Sequence, residues 1–290
     1  MRPFTRTLCV LTALTIASLA CGVSINAPES GIVIGPTVNE SIQVPGLAPG
    51  ETAVLNINFG AGELIISPGA DSGLVTGTAT FNVEEFRPTL TVTGKEFTLE
   101  QEGFRYNLGG LPNFDDLENT WDLLLADAHL SLKINAGAFD GNFDLGGLRL
   151  EEVRLYTGAA SLDVDFSSPN LVEMTELRVS TGASDVEFRN LGNANFTSLH
   201  FDGGAGNFVL DFSGDLKRDS DVIINAALSN ITLVVPAGVP AQVTVNGAMS
   251  NVSLGGTWQQ LDEFTYSQPG TGPVLRITVD MGAGNLQLGN

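Results

Sequence analysis

A short pattern recurs eight times along this chain and constrains its fold more than any other feature. Each copy has alternating apolar residues, then a pair of small residues that is usually Gly-Ala, then a second alternating stretch. The small residues that anchor the copies are Gly60, Gly137, Gly158, Gly182, Gly204, Ala227, Ala248 and Gly282. From Gly137 to Ala248 the anchors are 21, 24, 22, 23 and 21 residues apart.

Three columns of the repeat are apolar in all eight copies: the positions five and three residues before the anchor, and six after it. The third column consists of Ile66, Phe143, Val164, Phe188, Leu210, Leu233, Leu254 and Leu288. Since 43% of the residues are apolar, one column would be apolar throughout by chance only about once in a thousand. The repeat is therefore a property of the fold.

Alternation on both sides of the anchor indicates two strands joined at a tight corner, each with one buried face. A period of about 22 residues is typical of a solenoid. The sequence thus predicts an all-β fold, a single-stranded β-solenoid (β-helix) with short coils of about 22 residues. Stacked chains lie about 4.8 Å apart, so the corner should accept only small residues such as Gly and Ala.

A polar column stands three residues after the anchor, at the corner. In the last four copies it is always asparagine: Asn207, Asn230, Asn251 and Asn285. Two explanations are open. Stacked asparagines can hydrogen-bond from coil to coil, or asparagine is used because it tolerates a positive φ at a turn.

The first residues have the pattern of a secretory signal, in which Arg2 and Arg6 precede an apolar run too short to span a bilayer. Ser18-Leu19-Ala20-Cys21 resembles a bacterial lipobox, which predicts lipidation of Cys21 and a membrane contact through that lipid. Ordinary cleavage before a free Cys21 is the alternative. The predicted organisation is a signal peptide at 1–20, a flexible tether at 21–50, an N-terminal β domain at 51–130 and the solenoid at 131–290.

Within residues 51–130 the pattern predicts further strands. Residues 74–83 form one candidate, and residues 90–99 predict a hairpin that turns at Gly94-Lys95. Residues 117–128 alternate as in a strand, although a short acidic helix is the alternative. Strand is the favoured prediction.

The N-terminal segments LNINFGAGELIISPGA, GTATFNVEEFRPTLTV, NTWDLLL and LSLKINAGA resemble the bacterial toast-rack envelope proteins. The later segment VVPAGVPAQVTVNGAMSNVSL is similar to the C-terminal β-solenoid of LiaF-like stress regulators and to adhesin-like domains. These resemblances imply the fold and an envelope location. They bring no catalytic residue with them.

A basic stripe is predicted on the outer face of the first strands, because Lys133, Arg154, Arg178 and His200 all stand four residues before their anchors. Such a stripe could bind phosphate or uronate groups. Glu152 and Glu176 point the same way, however, so salt-bridge ladders are the alternative and favoured prediction.

The spacing between the last two anchors rises to 34 residues. The insert carries Trp258, Phe264 and Tyr266, which could form a platform for a sugar or a peptide. A solenoid also needs its terminal edge covered against strand addition, and capping is the favoured interpretation.

Composition and motifs limit the function classes. The formal net charge of −20 argues against nucleic acid as a partner. Carboxylates on adjacent coils, such as Asp163 and Glu187, have the spacing of retaining glycosidases, but nothing places them in a pocket. The two histidines lack thiol partners for zinc, and no phosphate loop or nucleophile elbow occurs. No cofactor and no metal site is predicted.

The prediction is therefore a non-catalytic, lipid-anchored, extracytoplasmic protein that binds or scaffolds an envelope protein or polysaccharide. Candidate contact residues are Lys133, Arg154, Arg178, Trp258, Phe264 and Tyr266. An envelope-stress regulator that acts through a partner is the first alternative. A carbohydrate-active β-helix enzyme is the second.

Overall fold

The computed structural model describes residues 33–101, 117–247 and 251–290. The strands are β1 (Val38–Val44), β2 (Ala53–Pro68), β3 (Val75–Phe81), β4 (Pro88–Thr93), β5 (Glu96–Gln101), β6 (Asn119–Leu125), β7 (His129–Asp144), β8 (Arg149–Asp165), β9 (Met174–Arg189), β10 (Phe196–Asp211), β11 (Ser220–Val234), β12 (Ala241–Gly247), β13 (Asn251–Leu254), β14 (Gln259–Gln260), β15 (Thr265–Gln268) and β16 (Leu275–Gly289). Among the described residues, short 3-10 helices span Glu84–Phe86 and Leu191–Ala194.

The fold is the predicted β-solenoid. Strands β2, β7, β8, β9, β10 and β11 stack in parallel in that order, one per coil. Each long strand turns a corner at its anchor. In β9 the buried positions are odd-numbered from Leu177 to Thr181 and even-numbered from Ser184 onward. This shift in parity at Gly182-Ala183 lets both halves of the strand turn their apolar side chains to the same core.

The three apolar columns are buried as predicted. Phe188, in the middle of the stack, is 1% exposed, whereas the neighbouring Glu187 side chain is 45% exposed. The exception is Leu254, which is 42% exposed because β13 forms an edge of the sheet. The buried residues form one core that extends from Ile42 to Leu288.

The corners are small because the next coil is directly above them. A Cβ atom added to Gly182 would stand 2.4 Å from the carbonyl oxygen of Gly158, and one added to Gly204 would stand 2.5 Å from that of Gly182. Both distances are shorter than a van der Waals contact. The use of glycine at these two anchors therefore has a direct steric cause.

The asparagine column is a hydrogen-bond ladder. Asn207 Nδ2 donates to Asp185 Oδ1 at 2.8 Å, Asn230 Nδ2 donates to Asn207 Oδ1 at 3.0 Å, and Asn285 Nδ2 donates to Asn230 Oδ1 at 2.8 Å. None of these residues has a positive φ. The ladder explanation is thus confirmed for Asn207, Asn230 and Asn285, and the positive-φ explanation is wrong. Asn251 does not join the ladder, because its Nδ2 donates to Ser253 Oγ on its own strand at 3.4 Å.

At each end of the stack the order of coils departs from the order of the chain. Strands β5 and β6 follow β2 in the chain and precede β7. Both nevertheless pair with the edge of β2 that faces away from β7. Similarly, β16 comes last in the chain but lies between β11 and the pair β12–β13. Antiparallel strands then cover these outer coils: β4 on β5, β3 and β1 on β6, and β15 and β14 on β12.

The structure decides several of the predictions for residues 33–130. The strand at 74–83 is β3, and the hairpin at Gly94-Lys95 joins β4 to β5. Residues 119–125 form strand β6, so the helical alternative for 117–128 is wrong. The core and the sheet both continue across residues 130 and 131.

Part of the predicted tether belongs to the fold, which corrects the prediction for residues 21–50. Residues 38–44 form β1, which pairs antiparallel with β3 along its whole length. Ile42 and Val44 alternate into the core and are 4% and 1% exposed. Two apolar residues at a spacing of two indicate a strand only weakly. The many Pro, Gly and Ser residues around them favoured the prediction of a tether. The predicted signal peptide and Cys21 lie outside the described residues.

Candidate functional site

The predicted basic stripe is in register on the outer face of the solenoid. Lys133 is opposite Arg154 on the next coil, Arg154 is opposite Arg178, and Arg178 is opposite His200. Main-chain register places these four side chains in one column because all of them stand four residues before an anchor. The sequence therefore located the stripe correctly.

The two arginines of the stripe are engaged in ion pairs. Arg154 contacts Glu152 at 2.5 Å and Glu176 at 3.5 Å. Arg178 contacts Glu176 at 2.9 Å and Asp202 at 3.7 Å. At Arg154 and Arg178 the stripe is therefore the salt-bridge ladder that the sequence favoured, and these guanidinium charges are matched by carboxylates on the same face.

The carboxylate of Glu176 is stabilised in its charged form by the neighbouring arginines. Burial disfavours the charged form of this carboxylate, but the hydrogen bond from Arg178 and the charges of Arg178 and Arg154 outweigh it, and the pKa of Glu176 lies below its ordinary value. The hydrogen bond to Glu176 likewise raises the pKa of Arg178. The ion pairs therefore persist at neutral pH.

Lys133 differs from the two arginines because it contacts an aromatic ring. Its Nζ atom lies 5.6 Å from the ring centroid of Tyr156, a cation–π distance. Tyr156 stands two residues before its anchor, on the same outer face. In the other copies this position holds Asn58, Asn135, Ser180, Asp202, Asn225, Asn246 and Asp280. Tyr156 is thus an aromatic residue in an otherwise polar column.

A cleft of about 350 Å³ opens beside this ring, where the first strands of four coils reach their corners. We call it the Tyr156 cleft. The cleft is lined by Asn58, Phe59, Gly60, Glu100, Gln101, Asn135, Ala136, Gly137 and Tyr156.

Hydrogen bonds between coils fix the polar side of the Tyr156 cleft. Asn135 Nδ2 donates to Asn58 Oδ1 at 2.7 Å, and Asn58 Nδ2 donates to Glu100 Oε2 at 3.3 Å. Gln101 Oε1 accepts a bond of 2.7 Å from the backbone N–H of Gly60. The amides and the carboxylate are therefore held in place before any ligand arrives, which lowers the entropic cost of binding.

An aromatic ring beside ordered amides and a carboxylate offers a flat apolar face together with donors and acceptors. That combination suits the ring and the hydroxyl groups of a sugar. Sequence reasoning missed this cleft, although the aromatic residue in a column of Asn, Asp and Ser is a signal that could have found it.

The acidic columns of the second strands form a wall, in which Asp163, Asp185 and Glu187 line a depression of about 230 Å³. Asp163 is opposite Glu187 on the next coil. Arg189 lies among these carboxylates, 3.6 Å from Asp163, 4.0 Å from Asp165 and 3.4 Å from Glu187. Within residues 33–101, 117–247 and 251–290, no group of three or more potential ligands is arranged to hold a metal ion.

The aromatic insert is divided between a cap and an exposed ring. Trp258 and Tyr266 are each 6% exposed, and Trp258 Nε1 donates to the carbonyl oxygen of Gly289 at 3.1 Å. Strand β15 carries Tyr266 along the edge of β12. Phe264 remains 54% exposed. The structure brings none of these three aromatic rings to the Tyr156 cleft, whose lining lies on the opposite end of the stack.

No helix in the part of the chain that the structure describes is long and apolar enough to cross a membrane.

Comparison with solved structures finds similar chains of low sequence identity. A protein of Clostridium sporogenes named a "putative cell adhesion protein" is 18% identical, with 88% of this chain and 99% of that chain covered and a TM-score of 0.46. A "putative adhesin" of Bacteroides fragilis is 9% identical, with 87% and 97% covered and a TM-score of 0.38. A "putative lipid binding protein" of Parabacteroides distasonis has the same identity, coverage and TM-score.

Comparison with curated proteins finds no match. Comparison with protein families finds one, and it covers β1 to β8, including the Tyr156 cleft. Residues 35–174 match the family described as the N-terminal domain of toast_rack, DUF2154. The resemblance inferred from the N-terminal segments is thereby confirmed, and residues 35–174 belong to the toast-rack family.

Proposed function

We propose that this protein is a non-catalytic binding module of the bacterial cell envelope, anchored by lipid on Cys21, and that its Tyr156 cleft binds a polysaccharide of the envelope. The observation that carries the proposal is the cleft itself. It places a half-buried aromatic ring beside amides and a carboxylate that hydrogen bonds between coils already order.

Two further observations support binding over catalysis. The carboxylates of the acidic wall project from a regular sheet and pair with Arg189. Acid–base catalysis requires two groups whose environments drive their pKa values apart, and a regular wall of this kind supplies one environment to all of them. The names of the similar solved structures, which refer to adhesion and lipid binding, are compatible with a binding role.

The cleft predicts a specific binding defect. Replacing Tyr156 by alanine removes the stacking face and should weaken binding to envelope polysaccharide by about tenfold or more, as expected for loss of an aromatic contact worth about 1–2 kcal/mol. Lys133→Ala should weaken binding to an acidic polysaccharide more than to a neutral one. The measurement is isothermal titration or affinity electrophoresis with purified wall polysaccharide fractions.

Thr278→Ala is the matched control, because Thr278 occupies the same outer column as Lys133 but lies on β16, several coils away. It should bind like the unchanged protein. Equal affinities for Tyr156→Ala and Thr278→Ala would show that the cleft is not the binding site.

The anchoring part of the proposal has its own test. Mass spectrometry of the mature N-terminus from the native host should show diacylglycerol on Cys21, because the sequence Ser18-Leu19-Ala20-Cys21 follows a short apolar run. The Cys21→Ser variant should lose the lipid and leave the membrane fraction. An unmodified Cys21 at the mature N-terminus would contradict anchoring without affecting the binding proposal.

A further inference from the structure

The edges of the sheet are protected unequally. Strand β14 has only two residues, β13 has four and carries Asn251 and Ser253, and β1 carries the charged Glu40. Proteins usually prevent strand addition at an edge by making the edge strand short or by placing a charged side chain on it. Strand β4 has six residues, Pro88–Thr93, with the sequence Pro-Thr-Leu-Thr-Val-Thr, and it carries no charge.

The edge of β4 that faces away from β5 carries backbone groups without a partner among the described residues. Among the described residues β4 pairs only with β5, through a hairpin in which Thr93 is opposite Glu96 across a two-residue loop. In such a hairpin the pair next to the loop exchanges both backbone hydrogen bonds, and this alternates along the ladder. The N–H and C=O groups of Thr89, Thr91 and Thr93 therefore face β5, and those of Leu90 and Val92 face outward.

Pro88 agrees with this assignment. It is opposite Gln101, so its nitrogen faces the free edge, where a residue without an N–H group costs the ladder nothing. The side chains of Leu90 and Val92 lie on the same side of the hairpin as their buried partners Leu99 and Phe97, yet they are 37% and 49% exposed. The apolar face of the core thus continues onto β4, where the described residues leave it partly uncovered.

The sequence of β4 is complementary to itself. Read outward from Thr91 in either direction, it runs Thr91, then Leu90 or Val92, then Thr89 or Thr93. An antiparallel copy centred on Thr91 would place Leu90 opposite Val92 twice and Thr89 opposite Thr93 twice. A two-fold interface requires such self-complementarity, in which residue i contacts j and j contacts i.

We propose that two copies of this chain associate through β4, antiparallel and with the two-fold axis at Thr91, into one sheet that continues from solenoid to solenoid. The outward groups of Leu90 in one copy bond to those of Val92 in the other, which gives two hydrogen bonds at each of two symmetric pairs. The four apolar side chains cover one another. Each chain carries a strong negative charge, so two copies repel each other over most of their surfaces. Strand β4 carries no charge, so this repulsion is weakest there.

A cysteine at the axis tests the register. The described strands and their core lie within residues 33–290, so the chain from residue 22 keeps them. It contains no cysteine, since Cys9 and Cys21 precede it. In the proposed dimer, Thr91 of one copy is opposite Thr91 of the other in a non-hydrogen-bonded pair. The Cα atoms of such a pair are about 4.5 Å apart, which is within the range of a disulfide. Thr91→Cys should form a disulfide-linked dimer on oxidation. Thr93→Cys, opposite Thr89 of the second copy, should form far less.

Association of the reduced protein provides the second measurement. Val92→Lys should weaken dimerisation in sedimentation equilibrium by about tenfold or more, because it places charge on an edge that must desolvate. Leu228→Lys is the matched control, since Leu228 is also an exposed strand residue, at 63%, and it should dimerise normally.

Three results would overturn the proposal. The first is a monomer at every concentration. The second is a dimer that survives Val92→Lys, which would place the interface elsewhere. The third is equal cross-linking of Thr91→Cys and Thr93→Cys, which would contradict the register. Circular dichroism of each variant verifies that it is folded, and Val92 tolerates lysine because its side chain is half exposed.

Discussion

Replacing Phe188 by aspartate should cost several kcal/mol of unfolding free energy, the amount expected when an unpaired charge is placed in a core. Phe188 is 1% exposed on β9 and is opposite Val164 on one neighbouring coil and Leu210 on the other, both 0% exposed. A carboxylate there would have apolar partners on both sides. Chemical denaturation should show a large fall in the unfolding midpoint.

Glu187→Gln is the control for this prediction, one residue away on the same strand. Its side chain is 45% exposed and its contact with Arg189 is a surface ion pair, of a kind worth at most about 1 kcal/mol. Its unfolding midpoint should barely change. A slip of one residue in register would exchange the two side chains, so equal midpoints for the two variants would refute the register of β9.

Gly206→Ala should destabilise the solenoid nearly as strongly, by a backbone mechanism. The added Cβ would stand 1.7 Å from the carbonyl oxygen of Ser184 on the coil below, and Gly206 has a φ of 149°. Because the atom that it meets belongs to the backbone of β9, no side-chain rotation can relieve the clash. The corner itself must move, and with it the hydrogen bonds that join the coils, at an expected cost of about 3 kcal/mol or more.

Gly272→Ala separates the clash from the strain of a positive φ. Gly272 has a φ of 101°, and a Cβ there would meet nothing within 4 Å. This variant should lose only about 1–2 kcal/mol, the cost of a residue with a side chain in that region. If both variants unfold at the same denaturant concentration, the close stacking of corners is not what requires glycine at position 206.

Much of the fold could be predicted because the repeat shows directly which residues are buried and where each strand turns its corner. The apolar columns specify which side of each strand is buried, as at Phe188, and the small anchors specify the corner, as at Gly182. These features depend on spacing along the chain, which the sequence displays directly. The hairpin at Gly94-Lys95 was predictable for the same reason.

The order of coils could not be predicted, because every coil presents the same columns. Strand β16 fits beside β11, and nothing in its apolar pattern distinguishes it from β12. The Tyr156 cleft was also missed, since it depends on which outer side chains of β5, β2, β7 and β8 meet, and β5 lies next to β2 only through the displaced order. Choices among equivalent neighbours require three-dimensional information.

The displaced order also limits how a chain of this kind can change in length. Solenoids commonly gain or lose repeats at their termini, but here β2 and β16, the outermost coils in sequence, are interior in space. Deleting β16 would remove a layer from within the stack and separate β11 from β12. From β7 to β11, chain order and stacking order coincide. Only in that stretch can a coil be duplicated or lost while both ends of the stack stay intact. The solenoid can therefore change length during evolution by gaining or losing coils in its middle.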